Sequence, residues 1–524
     1  MLKPFSHAWG DSLTGVPLQL VCMVGAAAGF LDFGFDQGIA NALTQNPDFY
    51  IVMPTLKDSS TILGTVLALF VLGAMIGCLT MSAIGNRVGR RPLMQVATIT
   101  AMVGAGGMAG ANGLAMFCVF RLLNGFGVGV LTGIVPSFVA EISKPRTRGL
   151  MMSLELVFAA TGLMTAFWCA YGFAKHTDAI GWRIPVALQG LLLIPALVSL
   201  QFTPESPRWL MEKGRVEEGR RVLERLHGSA YAAAATLEIQ EAIAMEHAAQ
   251  AGKGYSACFS NNDQCFRYRT LLAVGVNVAQ QATGIIDQLT RPSLRTDMAT
   301  YYSGNILIES VGLAPDRATL VLGGLGIAGL GFTIFGCFYL MEHAGRVRTM
   351  LIGAFGCMVS QILLAAGVAN QSVKAGGYVA ATGLYLFLCI FSATHLPTAF
   401  VYSAEVTPLA IRTRAATLGV AVQYLVNFAV VMVTPTAIAN IGWKYYMTFA
   451  IINGAMLPLI FWFCPETAGL SLEGIDELFA GGRVHVRRTV KVDGSGRLPV
   501  ASLEANKPQG SFEHVEKIET ADHY

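Results

Sequence analysis

Charge is scarce in this sequence. Asp, Glu, Lys and Arg together supply 13% of its 524 residues, about half the share usual in soluble proteins. A soluble fold of this size is excluded, because 53% of the chain is hydrophobic. Metal-ligand spacings are missing too. Most of the ten cysteines lie inside apolar runs (Cys22, Cys78, Cys118, Cys169, Cys337, Cys357, Cys389) and read as small packing residues. No nucleophile-and-base pair stands out, so an enzyme is not expected, and neither is a metal or cofactor. The net charge of +3 says little about partners, and no nucleic acid is expected. The first apolar run is not expected to be a cleavable leader: it is too long, follows a polar start and holds two aspartates.

What the chain has is apolar length. Runs of about 20 residues, enough to cross a bilayer, lie near 17–40, 60–84, 93–112, 115–139, 150–173 and 184–203. A second set lies near 270–310 (interrupted), 318–341, 348–369, 377–402, 413–437 and 443–464. The reading is an all-α integral membrane protein of twelve transmembrane helices in two pseudo-symmetric six-helix halves. Its parts are an N-terminal segment (1–16), a six-helix bundle (17–203), a helical linker (204–268), a second bundle (269–464) and a C-terminal helix with a disordered tail (465–524). Arginines cluster in alternate connections (Arg87, Arg90, Arg91; Arg146, Arg148; Arg346, Arg348; Arg412, Arg414). By the positive-inside rule that face, the linker and both termini are cytoplasmic.

The halves repeat one another. I-G-N-R-V-G-R-R-P after the second run answers M-E-H-A-G-R-V-R after the eighth, with Glu342, Gly345 and Arg346. Glu141 precedes Arg148 by seven residues, as Glu405 precedes Arg412. Orientation rules explain arginines but not glutamates at equal spacing, so the halves are homologous.

Few charges sit at membrane depth, and these are expensive and usually functional. Asp32 and Asp36 share one face of the first run. Asp36 is the functional candidate, with Arg121 as its counter-charge; Asp32 is placed higher and wetter, leaving a structural role equally open. The glycines 125, 127 and 129 after Arg121 allow close helix approach. As a nucleotide fingerprint G-x-G would mean nothing here, since no strand precedes it. Gln280 and Gln281 place two adjacent amides in an apolar segment. Their partners are another helix, water, or a polyhydroxylated ligand whose hydroxyls match an amide's two edges.

With G-F-D-Q-G, N-R-V-G-R-R-P, P-E-S-P-R-W-L, Q-Q-A-T-G-I, Y-Y-S and P-E-T-A-G-L-S-L-E in this order, the chain resembles the fungal-type sugar porters of the major facilitator superfamily, from about Gly29 to Phe479. The resemblance implies that Asp36 takes up a coupling proton beside Arg121. It implies that Gln280 and Gln281 bind sugar, that Tyr301 and Tyr302 close over it, and that Asp297, Phe400, Gln423 and Tyr424 stand where the family has further sugar-site residues. Arg90, Glu141, Arg148, Glu205, Arg208, Glu342, Arg346, Glu405, Arg412 and Glu466 match a cytoplasmic charge network that latches the outward-facing state. The implied function is alternating-access transport of a monosaccharide or related polyol by proton symport; a facilitative uniporter and a non-transporting sugar sensor are the alternatives. A monomer spanning the plasma membrane's lipid bilayer is expected, with protons and a small sugar or polyol as its partners.

Departures bear on specificity. The family's glutamine in span five is Leu156 here, with Glu155 beside it; Phe400 and the Gln423-Tyr424 pair replace tryptophan and Asn-Trp, and Asn86 replaces the aspartate of the first cytoplasmic loop. Hexose preference is thereby put in question. Ile286 to Thr296 is eleven residues beyond the family's length, with Asp287, Arg291, Pro292 and Arg295. It reads as a retained intron or faulty gene model, or else as an outward-facing loop between half-helices, which a wet cavity permits.

Overall fold

The computed structural model describes residues 13–144, 147–250, 255–260, 264–284, 315–370, 373–408, 411–468, 470, 475–476 and 478–479. The bundle is helical, and among the described residues eleven helices are long and apolar enough to cross a membrane. In the first half these are span one (Gly15–Gln45), two (Ser60–Val88), three (Arg90–Ala109), four (Leu114–Ile142), five (Arg148–Phe173) and six (Ile180–Leu192 continued by Ile194–Phe202). In the second half they are span eight (Leu320–Ala344), nine (Arg346–Ala369), ten (Lys374–Ala393 continued by His395–Val406), eleven (Arg412–Ile441) and twelve (Lys444–Phe463). Span seven begins as Phe266–Ala282. Its 17 residues rise about 25 Å, short of the roughly 30 Å hydrocarbon core. The extra segment Ile286 to Thr296 lies outside the described residues, as do Asp297, Tyr301 and Tyr302.

Small residues set the packing, as in membrane helices generally. A Cβ on Gly125 would lie 2.0 Å from the Phe70 carbonyl oxygen, and one on Gly129 equally close to that of Ala74. Both contacts seat span four on span two. Between Gly125 and Gly129, Gly127 faces Ala97 and Ala101 of span three. The three glycines therefore let one helix lie against two neighbours.

Between the halves the chain folds into helices Pro207–Glu212, Val216–His227 and Ser229–Gln250. Val216–His227 is amphipathic, with Val222, Leu223 and Leu226 buried and charged residues outward. Leu226 joins the core of the first half, and its carbonyl accepts a hydrogen bond from Gln19 Nε2 of span one at 2.7 Å. At the far end of the second half, Leu478 and Phe479 are fully buried. Arg269, at the start of span seven, meets that segment through Asp476 at 2.6 Å and lies over the Phe479 ring.

Candidate functional site

Three polar constructions stand out: a latch at the arginine-rich end of each half, a charged cluster inside the first half, and an amide-lined cavity between the halves.

The latches are near copies. Gly89 (φ 102°) and Gly345 (φ 85°) turn the chain sharply into spans three and nine, a conformation that glycine adopts without strain. Each turn leaves helical N–H groups free, and a glutamate arrives to take them. Glu205 accepts from the Arg90 amide at 2.9 Å, and Glu466 from the Arg346 amide at 2.9 Å. A side chain on either glycine would collide with that carboxylate, at 2.6 and 2.8 Å respectively. The arginine following each turn then reaches across its own half. Arg90 forks onto Glu141 at 3.0 and 3.2 Å, and Arg346 onto Glu405 at 2.8 and 3.2 Å. Burial pushes the Glu205 carboxyl up, while the amides of Ser206, Arg90 and Arg91 pull it back. Glu342, expected in this network, is exposed instead. Its place is explained by Arg346, whose guanidinium is taken by Glu405 and by the Met341 carbonyl. Arg208 is half-buried in Pro207–Glu212. Arg148 and Arg412 open spans five and eleven, their side chains outside the described residues.

Each latch pair joins spans of one half. Among the described residues, contact across the halves is made by other groups, among them Phe30 edge-on to Phe400, Cys337 Sγ near the Ser153 carbonyl, Thr61 against Thr436 at 3.2 Å, and Tyr424 against Thr132 Oγ1 at 2.7 Å.

The charged cluster is deep in the first half. Arg121 faces Asp36 with Nη1–Oδ1 at 3.3 Å and Nη2–Oδ2 at 3.4 Å, both side chains under 4% exposed. Arg121 also donates to the Leu67 carbonyl and lies over the Phe70 ring. Two amides missed in the sequence complete the cluster. Gln189 Nε2 donates to Asp36 Oδ1 at 3.4 Å and Asn124 Oδ1 at 3.3 Å; Asn124 Nδ2 donates to the Ala101 carbonyl. Asp32 is not in wetter surroundings than Asp36. It is 0% exposed: span five packs on that turn of span one, Gly162 against the Leu31 carbonyl and Ala159 against Gly34, and Gln189 of span six lies beside it.

Between the halves lies an open cavity lined by residues of both. Phe33, Leu163, Phe391 and Phe400 give it apolar walls, and Gln37, Gln280, Gln281, Gln423 and Asn427 give it amides. Gln423 Nε2 donates to Gln280 Oε1 at 2.9 Å, and Gln280 Nε2 lies 3.5 Å from the His395 carbonyl. That leaves acceptors to spare: Gln281 Oε1, Gln423 Oε1 and Asn427 Oδ1 have no donor among the described residues. Gln37 and Asn427 were not singled out in the sequence, although Gln37 directly follows Asp36. Tyr424 does not line the cavity; its hydroxyl is turned to Thr132. Glu155 is buried, with Oε1 unpartnered among the described residues.

This arrangement is a family's. The model of a sugar (and other) transporter family matches residues 21–479. The chain belongs to that family. It is 31% identical over 491 residues to the sugar transporter STL1 of Saccharomyces cerevisiae, covering 91% of this chain and 83% of that protein. It is 30% identical over 486 residues to the MFS-type transporter criB of Aspergillus cristatus, covering 91% and 96%. In fold it matches the proton:xylose symporter XylE bound to 6-bromo-6-deoxy-D-glucose, with a TM-score of 0.73 and 22% identity over 90% of this chain and all of that one. The chain is therefore a multi-pass membrane transporter of the major facilitator fold, from a family of transporters and not of enzymes.

Proposed function

We propose that this transporter carries a monosaccharide or related polyol together with a proton by alternating access, as a monomer in the plasma membrane with both termini cytoplasmic. The observation that carries the reading is the division of polar groups. The amide wall offers carbonyl acceptors without donors, which suits hydroxyl groups, since each hydroxyl donates one hydrogen bond and accepts others. Among the described residues, charge is kept out of that wall and buried behind it, at Asp36 and Arg121.

Coupling follows from their adjacency. Gln37 faces the cavity while Asp36, its neighbour in the chain, faces Arg121. Neutralising Asp36 with a proton releases Arg121 and alters how span one packs against span four. Sugar and proton then favour the same conformation, and each raises the other's affinity by the same factor. The latches hold each half as a rigid unit, so that the halves rock as bodies about the contacts between Phe30 and Phe400 and between Thr132 and Tyr424. Asp297, Tyr301 and Tyr302 complete the sugar site in this reading.

The test is uptake of labelled hexoses, pentoses and polyols in a transporter-deficient host, with and without an imposed proton gradient. Accumulation that follows the gradient and collapses with an uncoupler supports symport. Equilibration without accumulation would make the chain a uniporter, and binding without uptake would make it a sensor.

A further inference from the structure

Asp32 lies one helical turn before Asp36 on span one and is the less well provided of the two. It is 0% exposed, and neither of its carboxylate oxygens has a hydrogen-bond donor among the described residues. Its polar neighbours are Asp36 and the Gln189 amide. That amide is already committed to Asp36 and Asn124. Arg121 of span four turns both Nη atoms to Asp36.

Among the described residues, the other helices packed against span one bring no second cation to this place. Span five carries one buried acid, Glu155, and no described cation. In span six, Arg183 is turned to the Ala109 carbonyl and Asn112, and Ile194–Phe202 has no ionisable residue. Helix Val216–His227 meets the opposite end of span one, through Gln19. Two acids therefore face one guanidinium. An ionised carboxylate with neither donor nor counter-charge is prohibitively expensive in an apolar interior, and the group takes a proton instead.

We propose that Asp32 holds a proton in this conformation, and that Asp32 and Asp36 titrate as a coupled pair against Arg121. The proton affinity that drives transport then belongs to the pair. Once one carboxyl has lost its proton, the negative charge makes the other hold its own more tightly. Such a pair binds protons at a higher pH than Asp36 would beside Arg121 alone. This inference rests on the symport reading and adds a second proton-binding residue to it.

The experiment measures initial uptake against external pH for the wild type and Asp32→Asn in proteoliposomes. The probe is whichever of labelled D-glucose, D-fructose, D-xylose and glycerol the wild type carries fastest. Removing the neighbouring acid is expected to move the half-maximal pH about one unit or more toward acid, a tenfold fall in proton affinity. Counterflow of the same probe, which needs no net proton movement, shows that the variant is folded. An unchanged midpoint with counterflow intact overturns the proposal, because a merely structural Asp32 would leave the pH profile where it was. If Asp32→Asn lacks counterflow, Asp36→Asn decides: its probe binding is expected to remain pH-dependent through Asp32, and a flat profile overturns the proposal. Wild-type uptake indifferent to a proton gradient would remove the symport reading and this inference with it.

Discussion

The two halves carry the same latch and opposite interiors. At the arginine-rich end, glycine turn, glutamate cap and forked arginine superimpose in kind and nearly in distance: Arg90 on Glu141 at 3.0 Å, Arg346 on Glu405 at 2.8 Å. At membrane depth the likeness ends. The first half buries Asp32, Asp36 and Arg121, whereas the described residues at the corresponding depth of the second are neutral, with Gln280, Gln281, Gln361, Gln423 and Asn453. Duplication supplied a common frame, and the frame tolerates either filling because the latch, not the interior, fixes the helix ends. In the proposed reading the charged filling handles the proton and the neutral one handles hydroxyls.

The largest effect should come from the charged side. Asp36→Asn should abolish accumulation of labelled sugar against a gradient while leaving exchange in part, since the amide wall is untouched. Accumulation that survives in this variant would break the division of labour between the halves.

Next come the latches, which should respond alike. Arg90→Ala and Arg346→Ala each strand a glutamate, and a lost hydrogen bond to a charged group is worth about 1.5–3 kcal/mol. Both variants should lose thermal stability in detergent by similar amounts. A loss confined to one of them would show that the two ends are alike in geometry only.

On the neutral side, Gln281→Ala should weaken sugar uptake about tenfold or more, from about 1–3 kcal/mol of buried hydrogen bonding. It should leave the pH midpoint unmoved. An unchanged apparent affinity for every transported sugar would assign the pair to helix packing. Smallest is Tyr424→Phe, which removes only the hydrogen bond to Thr132 between the halves, about 0.5–1.5 kcal/mol. It should alter the rate of transport slightly and the apparent affinity not at all, because Tyr424 lies outside the cavity lining.

Much of this contrast could be read in the sequence, for identifiable reasons. The latch was legible because repetition at fixed spacing carries information that a single arginine does not; Glu205 and Glu466 were found through P-E-S and P-E-T. Asp36 and Arg121 were legible because charges inside apolar runs are few. Gln189 and Asn124 were not: an isolated amide in an apolar run carries no mark of the neighbour it faces. Depth was equally hidden. An i,i+4 spacing puts Asp32 and Asp36 on one face but leaves unsaid that spans five and six cover that face. Glu342 shows the limit of the repeat itself, since equal position does not decide which acid reaches an arginine whose donors are already taken. The cavity was half legible, through Gln280, Gln281, Phe400 and Gln423, while Asn427 has no signal beyond its lying one helical turn after Gln423.

The most direct test of the division between charged and neutral halves is sugar-driven proton entry. Purified wild type and Asp36→Asn would be placed in proteoliposomes in a lightly buffered medium, and external pH followed on adding the best-transported sugar. Sustained alkalinisation is expected for the wild type, and for Asp36→Asn none beyond the single proton that Asp32 takes up as sugar binds, with sugar exchange still measurable in that variant. Sustained alkalinisation in Asp36→Asn would contradict the division, and would show that net proton movement does not need Asp36.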